Sequence, residues 1–190
     1  MHRGKVNHIF SIATIVCHIS FAVVLSIFLL IPVPAMAYTT SGSKWSARSQ
    51  TVSFYQTSVK GNYLSGLRQA AANYNASTDA RVTLTATLRG GKWSAIAQNY
   101  GATGWEGQST WYKSGGVTTK ATSKVNIKYA ASFNAARMKV LWLHELGHVW
   151  GLGHVSSIRH VMYTSASAAY LNGGVRSLTS DEIAGINKLY

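Results

Sequence analysis

His144-Glu145-Leu146-Gly147-His148-Val149-Trp150-Gly151-Leu152-Gly153-His154 is the stretch on which the reading of this 190-residue chain turns. It closes an apolar-periodic run that predicts a helix over 135–150, with Met138, Leu141, Trp142 and Leu146 among its apolar positions. His144 and His148 stand about 40° apart around such a helix and one turn along it, so both imidazoles address one point. Gly151 follows three residues after His148, where a helix ends readily in a left-handed residue that has no Cβ to clash. The chain then turns back, and His154 is placed to supply a third nitrogen. Three imidazoles that leave a fourth position to water are the donor set of a catalytic rather than a structural zinc. Neutral imidazoles also suit other first-row metals.

The composition around this motif is basic. Eighteen Lys+Arg against five Asp+Glu give +13, with 47% hydrophobic residues and a single Cys. That apolar content excludes a disordered tail, and the absence of a glycine period excludes collagen. The length suits one domain with a real core. Residues 1–37 read as a signal peptide. Arg3 and Lys5 form a basic n-region, an apolar stretch runs from Phe10 to Ile31, Pro32-Val-Pro34 breaks it, and Ala35-Met36-Ala37 is a small-x-small cleavage site. The other reading is an uncleaved anchor, since the stretch is nearly long enough to span a bilayer. Cleavage after Ala37 predicts a secreted chain of residues 38–190, free of the membrane and of cysteine, because Cys17 leaves with the leader. Without Arg3 and Lys5, 16 Lys+Arg face 5 Asp+Glu, a net +11. Thirteen of those cations lie in 38–140 beside only Asp79 and Glu106, whereas 141–190 is neutral and holds His144, His148, His154 and His160.

Along the mature chain, Val52 and Phe54 alternate with polar neighbours and predict a first strand. Leu64, Leu67, Ala71 and Tyr74 share a helical face, with Asn62 as the expected N-cap. Val82, Leu84, Ala86 and Leu88 predict a second strand ended by Gly90-Gly91. From Trp93 to Tyr112 two strands with a Gly-rich connection are expected, and Val125, Ile127 and Tyr129 alternate as a further strand. Thr179-Ser-Asp-Glu182 is a capping box that opens a last helix burying Ile183, Ile186 and Leu189. This order predicts an α+β or mixed α/β domain.

His144-Glu145-x-x-His148-x-x-Gly151-x-x-His154 resembles the metzincin signature, and Val161-Met162-Tyr163 resembles the Met-turn that follows it. Leu178-Thr-Ser-Asp-Glu-Ile-Ala-Gly-Ile-Asn-Lys-Leu-Tyr190 resembles the closing helix of matrixins, "LSxDDIxGIxxLY". The resemblance covers residues 135–190 and implies a single domain with a twisted, five-stranded sheet, an active-site helix and a C-terminal helix. It implies a secreted zinc endopeptidase of bacterial type acting on protein or peptide as a monomer. His144, His148 and His154 would bind one catalytic Zn²⁺, with Glu145 the general base. Met162 would form a floor beneath the metal, and Tyr163 would line the pocket for the residue after the scissile bond. Trp93, Trp105, Trp111 and Tyr112 fall where metzincins have the edge strand that pairs with substrate, although core packing accounts for such aromatics as well.

The departures from the family pattern are informative. Val155 stands where matrixins usually have Ser. Residues 38–143 contain no His and only two carboxylates, so neither a second zinc nor a calcium site of the usual kind is expected. His160 is read as a loop residue outside the zinc set. The competing function is a secreted cationic zinc protein that associates with cell envelope or another polyanion with little or no proteolysis, motivated by the +11 of residues 38–140. No base-reading or phosphate-cradling motif accompanies that charge, so specific nucleic-acid binding is not expected.

Overall fold

The computed structural model describes residues 38–190; the leader expected over 1–37, Cys17 included, lies outside them. In chain order the elements are β1 (Thr39–Thr40), β2 (Ser49–Tyr55), α1 (Asn62–Ser77), β3 (Arg81–Thr87), β4 (Trp93–Gln98), β5 (Gly107–Ser114), β6 (Val117–Asn126), α2 (Ile127–Ala130), α3 (Ala135–Trp150), β7 (Leu152–Gly153), α4 (Ala166–Leu171) and α5 (Ser180–Leu189). Strands β2 to β6 form one mixed sheet in the order β3-β2-β4-β6-β5. The first four run parallel, and β5 lies antiparallel to β6 at the edge. A parallel β2–β3 pair needs a crossover connection, which α1 supplies. The architecture is the α+β domain that the order of elements predicts.

Inward-facing Val52, Phe54, Trp93, Ala95, Ala121 and Val125 form one side of the core. Leu67, Ala71 and Tyr74 of α1 and Met138, Leu141 and Leu146 of α3 form the other. The opposite face of the sheet shows Thr51, Thr83, Thr85, Thr110 and Lys120 to solvent. The two long helices touch closely at Gly66, where a Cβ would stand 2.7 Å from Met138 Cγ and 2.8 Å from the backbone of Met138 and Lys139. Two hydrogen bonds fix their register: buried Tyr74 Oη donates to Leu143 O at 2.7 Å, and Trp142 Nε1 donates to Tyr63 O at 2.9 Å. The end of α3 is held by a run of aromatic contacts, with ring centroids of Trp45–Trp93 at 5.9 Å, Trp93–Trp150 at 5.3 Å and Trp150–Tyr190 at 5.2 Å.

Four local expectations are corrected. Gly61, not Asn62, is the N-cap of α1; Asn62 is the first helical residue, and its Nδ2 donates to Phe133 O at 3.1 Å. Strand β3 ends at Thr87 and leaves Leu88 70% exposed, because it is an outer strand and nothing among the described residues covers its end. Strand β6 stops at Asn126, whose side-chain oxygen accepts from the Lys128 and Tyr100 backbone N–H groups; Ile127 and Tyr129 therefore belong to a helical turn. Trp93 is a fully buried residue of interior strand β4, and Trp105 precedes β5, so of the four aromatics only Trp111 and Tyr112 lie on the edge strand. In α5 Ile186 is fully buried, while Ile183 and Leu189 are half-buried.

The Gly66 contact gives a direct test of helix packing. Gly66→Ala forces α1 and α3 apart against backbone atoms and is expected to lower stability by about 1–3 kcal/mol, read from the shift in urea midpoint.

Candidate active site

Helix α3 starts at Asn134, whose Oδ1 accepts from the Arg137 N–H at 2.9 Å, and ends at Gly151 with φ 109°. A Cβ at Gly151 would meet Ser43 O at 2.7 Å, so glycine is required both by backbone angle and by space. Beyond the turn, β7 pairs antiparallel with β1, Ser41 N–H donates to Gly151 O at 2.7 Å, and Thr39 Oγ1 donates to His154 O at 2.8 Å. The start of the described chain thus holds the segment that carries His154.

The three imidazoles converge. His144 Nε2 lies 3.1 Å from His148 Nε2 and 3.2 Å from His154 Nε2. The other ring nitrogens of the two helical residues are occupied, His144 Nδ1 donating to Val161 O at 2.8 Å and His148 Nδ1 donating to Leu152 O at 3.1 Å. Those bonds fix the tautomer and leave bare Nε2 lone pairs facing one another, an arrangement that repels unless a cation lies between them. Tetrahedral zinc with Zn–N near 2.0–2.1 Å needs nitrogens about 3.3 Å apart, close to the observed spacing. Burial lowers His144 to about 3, helped by the neighbouring His148, and lowers His148 to about 4; it lowers His154 as well. Ligands that stay neutral in acid suit a metal. Among the described residues this is the one group of three or more candidate ligands close enough to share an ion.

Glu145 is 3% exposed, and burial raises its carboxyl to about 8, opposed by a hydrogen bond from Ser109. Ser109 Oγ lies 2.9 Å from Glu145 Oε2, 2.8 Å from Glu145 O and 3.0 Å from Ser123 Oγ. Trp93 Nε1 donates to Ser123 Oγ at 3.2 Å, so the indole, the two hydroxyls and the Glu145 carboxyl form one hydrogen-bonded row. Gly107 makes room for the carboxylate: a Cβ there would stand 2.3 Å from Glu145 Oε1. Sequence reasoning missed both Ser109 and Gly107. Only the pairing of β5 with β6, which turns Ser109 and Trp111 inward, reveals them.

Met162 is buried beneath the helix, where a Cβ on Gly147 would meet its Sδ at 2.6 Å. The Met162 N–H donates to Glu182 Oε1 at 3.2 Å, and Glu182 Oε2 accepts from Thr179 N–H at 2.9 Å. The capping box legible in the sequence therefore also ties α5 to the turn at Met162. Tyr163 is half-buried on the core and bridges to Val155. His160 Nδ1 lies 3.0 Å from Thr179 Oγ1, beside Asp181 and Glu182 and apart from the three converging imidazoles.

Two adjoining cavities open on this site. The larger, about 310 Å³, is lined by His148, His154, Ser109 and Trp111 together with His144 and Glu145. The Trp111 ring lies 6.4 Å from that of His148 and within 18° of parallel. The smaller, about 230 Å³, also reaches His144 and Glu145 and adds Glu106, Leu141, Ser165 and Ala166.

The sequence profile of the matrixin family matches residues 43–190. The chain belongs to the matrixins. Its similarity to individual members is local. It is 33% identical over 97 residues to "Metalloendoproteinase 1" of Glycine max, covering 50% of this chain and 27% of that protein. It is 44% identical over 48 residues to the "Putative matrix metalloproteinase" of Spodoptera frugiperda ascovirus 1a, covering 25% of this chain and 12% of that one. The chain spans about a quarter or less of the length of these relatives, and the histidine triad of this matrixin could hold a metal ion.

Burial makes the metal-free matrixin sensitive to pH in two opposite ways. Unfolded histidines take up protons below about 6.5, whereas folded His144 and His148 resist to about 3 and 4, so stability falls as pH drops through that window. Folded Glu145 keeps its proton to about 8 and unfolded Glu loses it near 4.5, so its contribution is lost as pH rises between them. In metal-free protein, Glu145→Gln is therefore expected to raise Tm by several degrees at pH 9 relative to its effect at pH 4.5, measured by calorimetry. Zinc content of the wild type is expected to persist at pH 5.5 and to be lost toward pH 3, measured after equilibrium dialysis.

Proposed function

We propose that this matrixin is a secreted zinc-dependent endopeptidase in which His144, His148 and His154 hold one catalytic zinc and Glu145 is the general base. The observation that carries the reading is the convergence of three imidazole Nε2 atoms, two of them bare, beside the buried carboxyl of Glu145, at the meeting of two cavities. Zinc bound there supplies Lewis-acid polarisation of a carbonyl and a water of lowered pKa. The chain's own groups do the rest. Glu145 takes the proton of the attacking water and hands it to the leaving amine, a role that a carboxyl raised toward neutral pH performs in both directions. The Ser109 hydroxyl orients that carboxylate, and Gly107 leaves the space in which it turns. The edge strand β5 offers a free antiparallel edge beside the site, suited to pairing with an extended peptide backbone.

The substrate is a protein or peptide, and the enzyme acts outside the cell as a monomer after cleavage following Ala37. A cationic binding protein with little proteolysis is less well supported, since a pure binder has no use for a buried carboxyl beside the ligands. Retention of the enzyme on an anionic envelope polymer fits the unpaired charge: among the described residues Arg137 is the one Lys or Arg side chain within salt-bridge distance of a carboxylate.

Glu145→Gln is expected to keep stoichiometric zinc and to lose at least about a thousandfold in kcat on a peptide that the wild type cleaves. Full turnover by that variant would remove Glu145 from the mechanism. Chelation should abolish wild-type activity, and added zinc should restore it.

A further inference from the structure

The smaller cavity contains a second carboxylate, which its neighbour lacks. Glu106 shares its lining with His144 and Glu145, along with Leu141, Thr164 and Ser165. Arg137 braces it from outside that lining. The Arg137 guanidinium donates to the buried Ser167 Oγ from Nε at 3.0 Å and from Nη2 at 2.7 Å, and lies 3.6 Å over the Phe133 ring. From there Nη2 reaches Glu106 Oε1 at 3.4 Å. Charge-assisted hydrogen bonds normally run at 2.7–2.9 Å, so this contact holds the carboxylate without saturating it. Glu106 Oε2 has no hydrogen-bond partner among the described residues. The Glu106 side chain is 28% exposed, leaving it accessible to a ligand yet shielded enough for charge to matter.

We propose that Glu106 makes this cavity a selector for a substrate side chain that ends in a cation, lysine or arginine, at a position adjoining the scissile bond. The inference rests on the endopeptidase reading and adds the substrate class. A cavity of about 230 Å³ takes one side chain rather than a larger ligand. Leu141 and Ala166 can cover the methylene stem, while the free Oε2 and the Thr164 and Ser165 hydroxyls accept from the ammonium or guanidinium head. An apolar side chain would cover Glu106 Oε2 while offering it no donor, which is the repulsive half of the selection.

The test uses a positional-scanning peptide library digested by the zinc-loaded protein, followed by matched peptides carrying lysine, norleucine or glutamate at the selected position. Lysine is expected to exceed norleucine by about tenfold in kcat/KM, and Glu106→Gln to reduce that ratio to near unity with zinc content unchanged. Equal or better cleavage of the norleucine or glutamate peptide by the wild type would overturn the proposal, as would a lysine preference that survives Glu106→Gln. Binding of the same peptides to the Glu145→Gln variant, read by calorimetry, separates the two claims. Glu106-dependent preference for the lysine peptide without any cleavage by the wild type would sink the endopeptidase reading and leave the selector standing. Equal binding of the lysine and norleucine peptides would sink the selector.

Discussion

The reversal at Gly151 is the constraint on which the site depends. A helix alone presents His144 and His148 from successive turns, but a third nitrogen must come from chain that has left the helix and come back. The backbone reaches φ 109° at Gly151 with Ser43 O pressed against the place a Cβ would take. The two-residue pairing of β1 with β7 and the hydrogen bond from Thr39 to His154 O then hold the returning segment. The histidine triad is therefore assembled with the help of one end of the described chain as well as from its last third. A small helical motif becomes a three-nitrogen centre only because a distant segment braces the turn.

The electrostatics of the site pull in opposing directions. Burial keeps the imidazoles neutral, ready to donate lone pairs, and keeps a proton on Glu145 to an unusually high pH. Neither condition stabilises the metal-free fold across the whole pH range. A cation among the three nitrogens would offset the repulsion of their lone pairs and favour an ionised Glu145 beside it. The Trp93–Ser123–Ser109 chain extends this arrangement into the sheet: an indole and two hydroxyls lie in one hydrogen-bonded row that ends at the carboxyl. Strand β6 thereby contributes to the site without touching the cavity.

Charge and chemistry are separated in space. Most of the cations lie in residues 38–140, and those on the outer sheet face, such as Lys120, point away from the helices. Glu106 and Arg137 are the exception, a pair drawn from the residue before β5 and the first turn of α3, with Glu106 lining the smaller cavity.

Local rules were enough for the elements whose signals are local. The His144–His154 spacing, the glycine stop and the Thr179–Glu182 capping box each encode their geometry within a few residues, and all three appear as read. The order of strands and helices also implied the fold class. Local alternation misled at Ile127–Tyr129, where the Asn126 side chain captured two backbone N–H groups and started a helical turn, and at Leu88, where the strand ran out of cover. Ser109, Gly107 and the Glu106–Arg137 pair carry no local signature at all. They acquire meaning only when antiparallel pairing sets which face of β5 turns inward and α3 is laid against it. A side chain's period along a strand says that it faces one side or the other; only tertiary packing decides which side faces the three histidines.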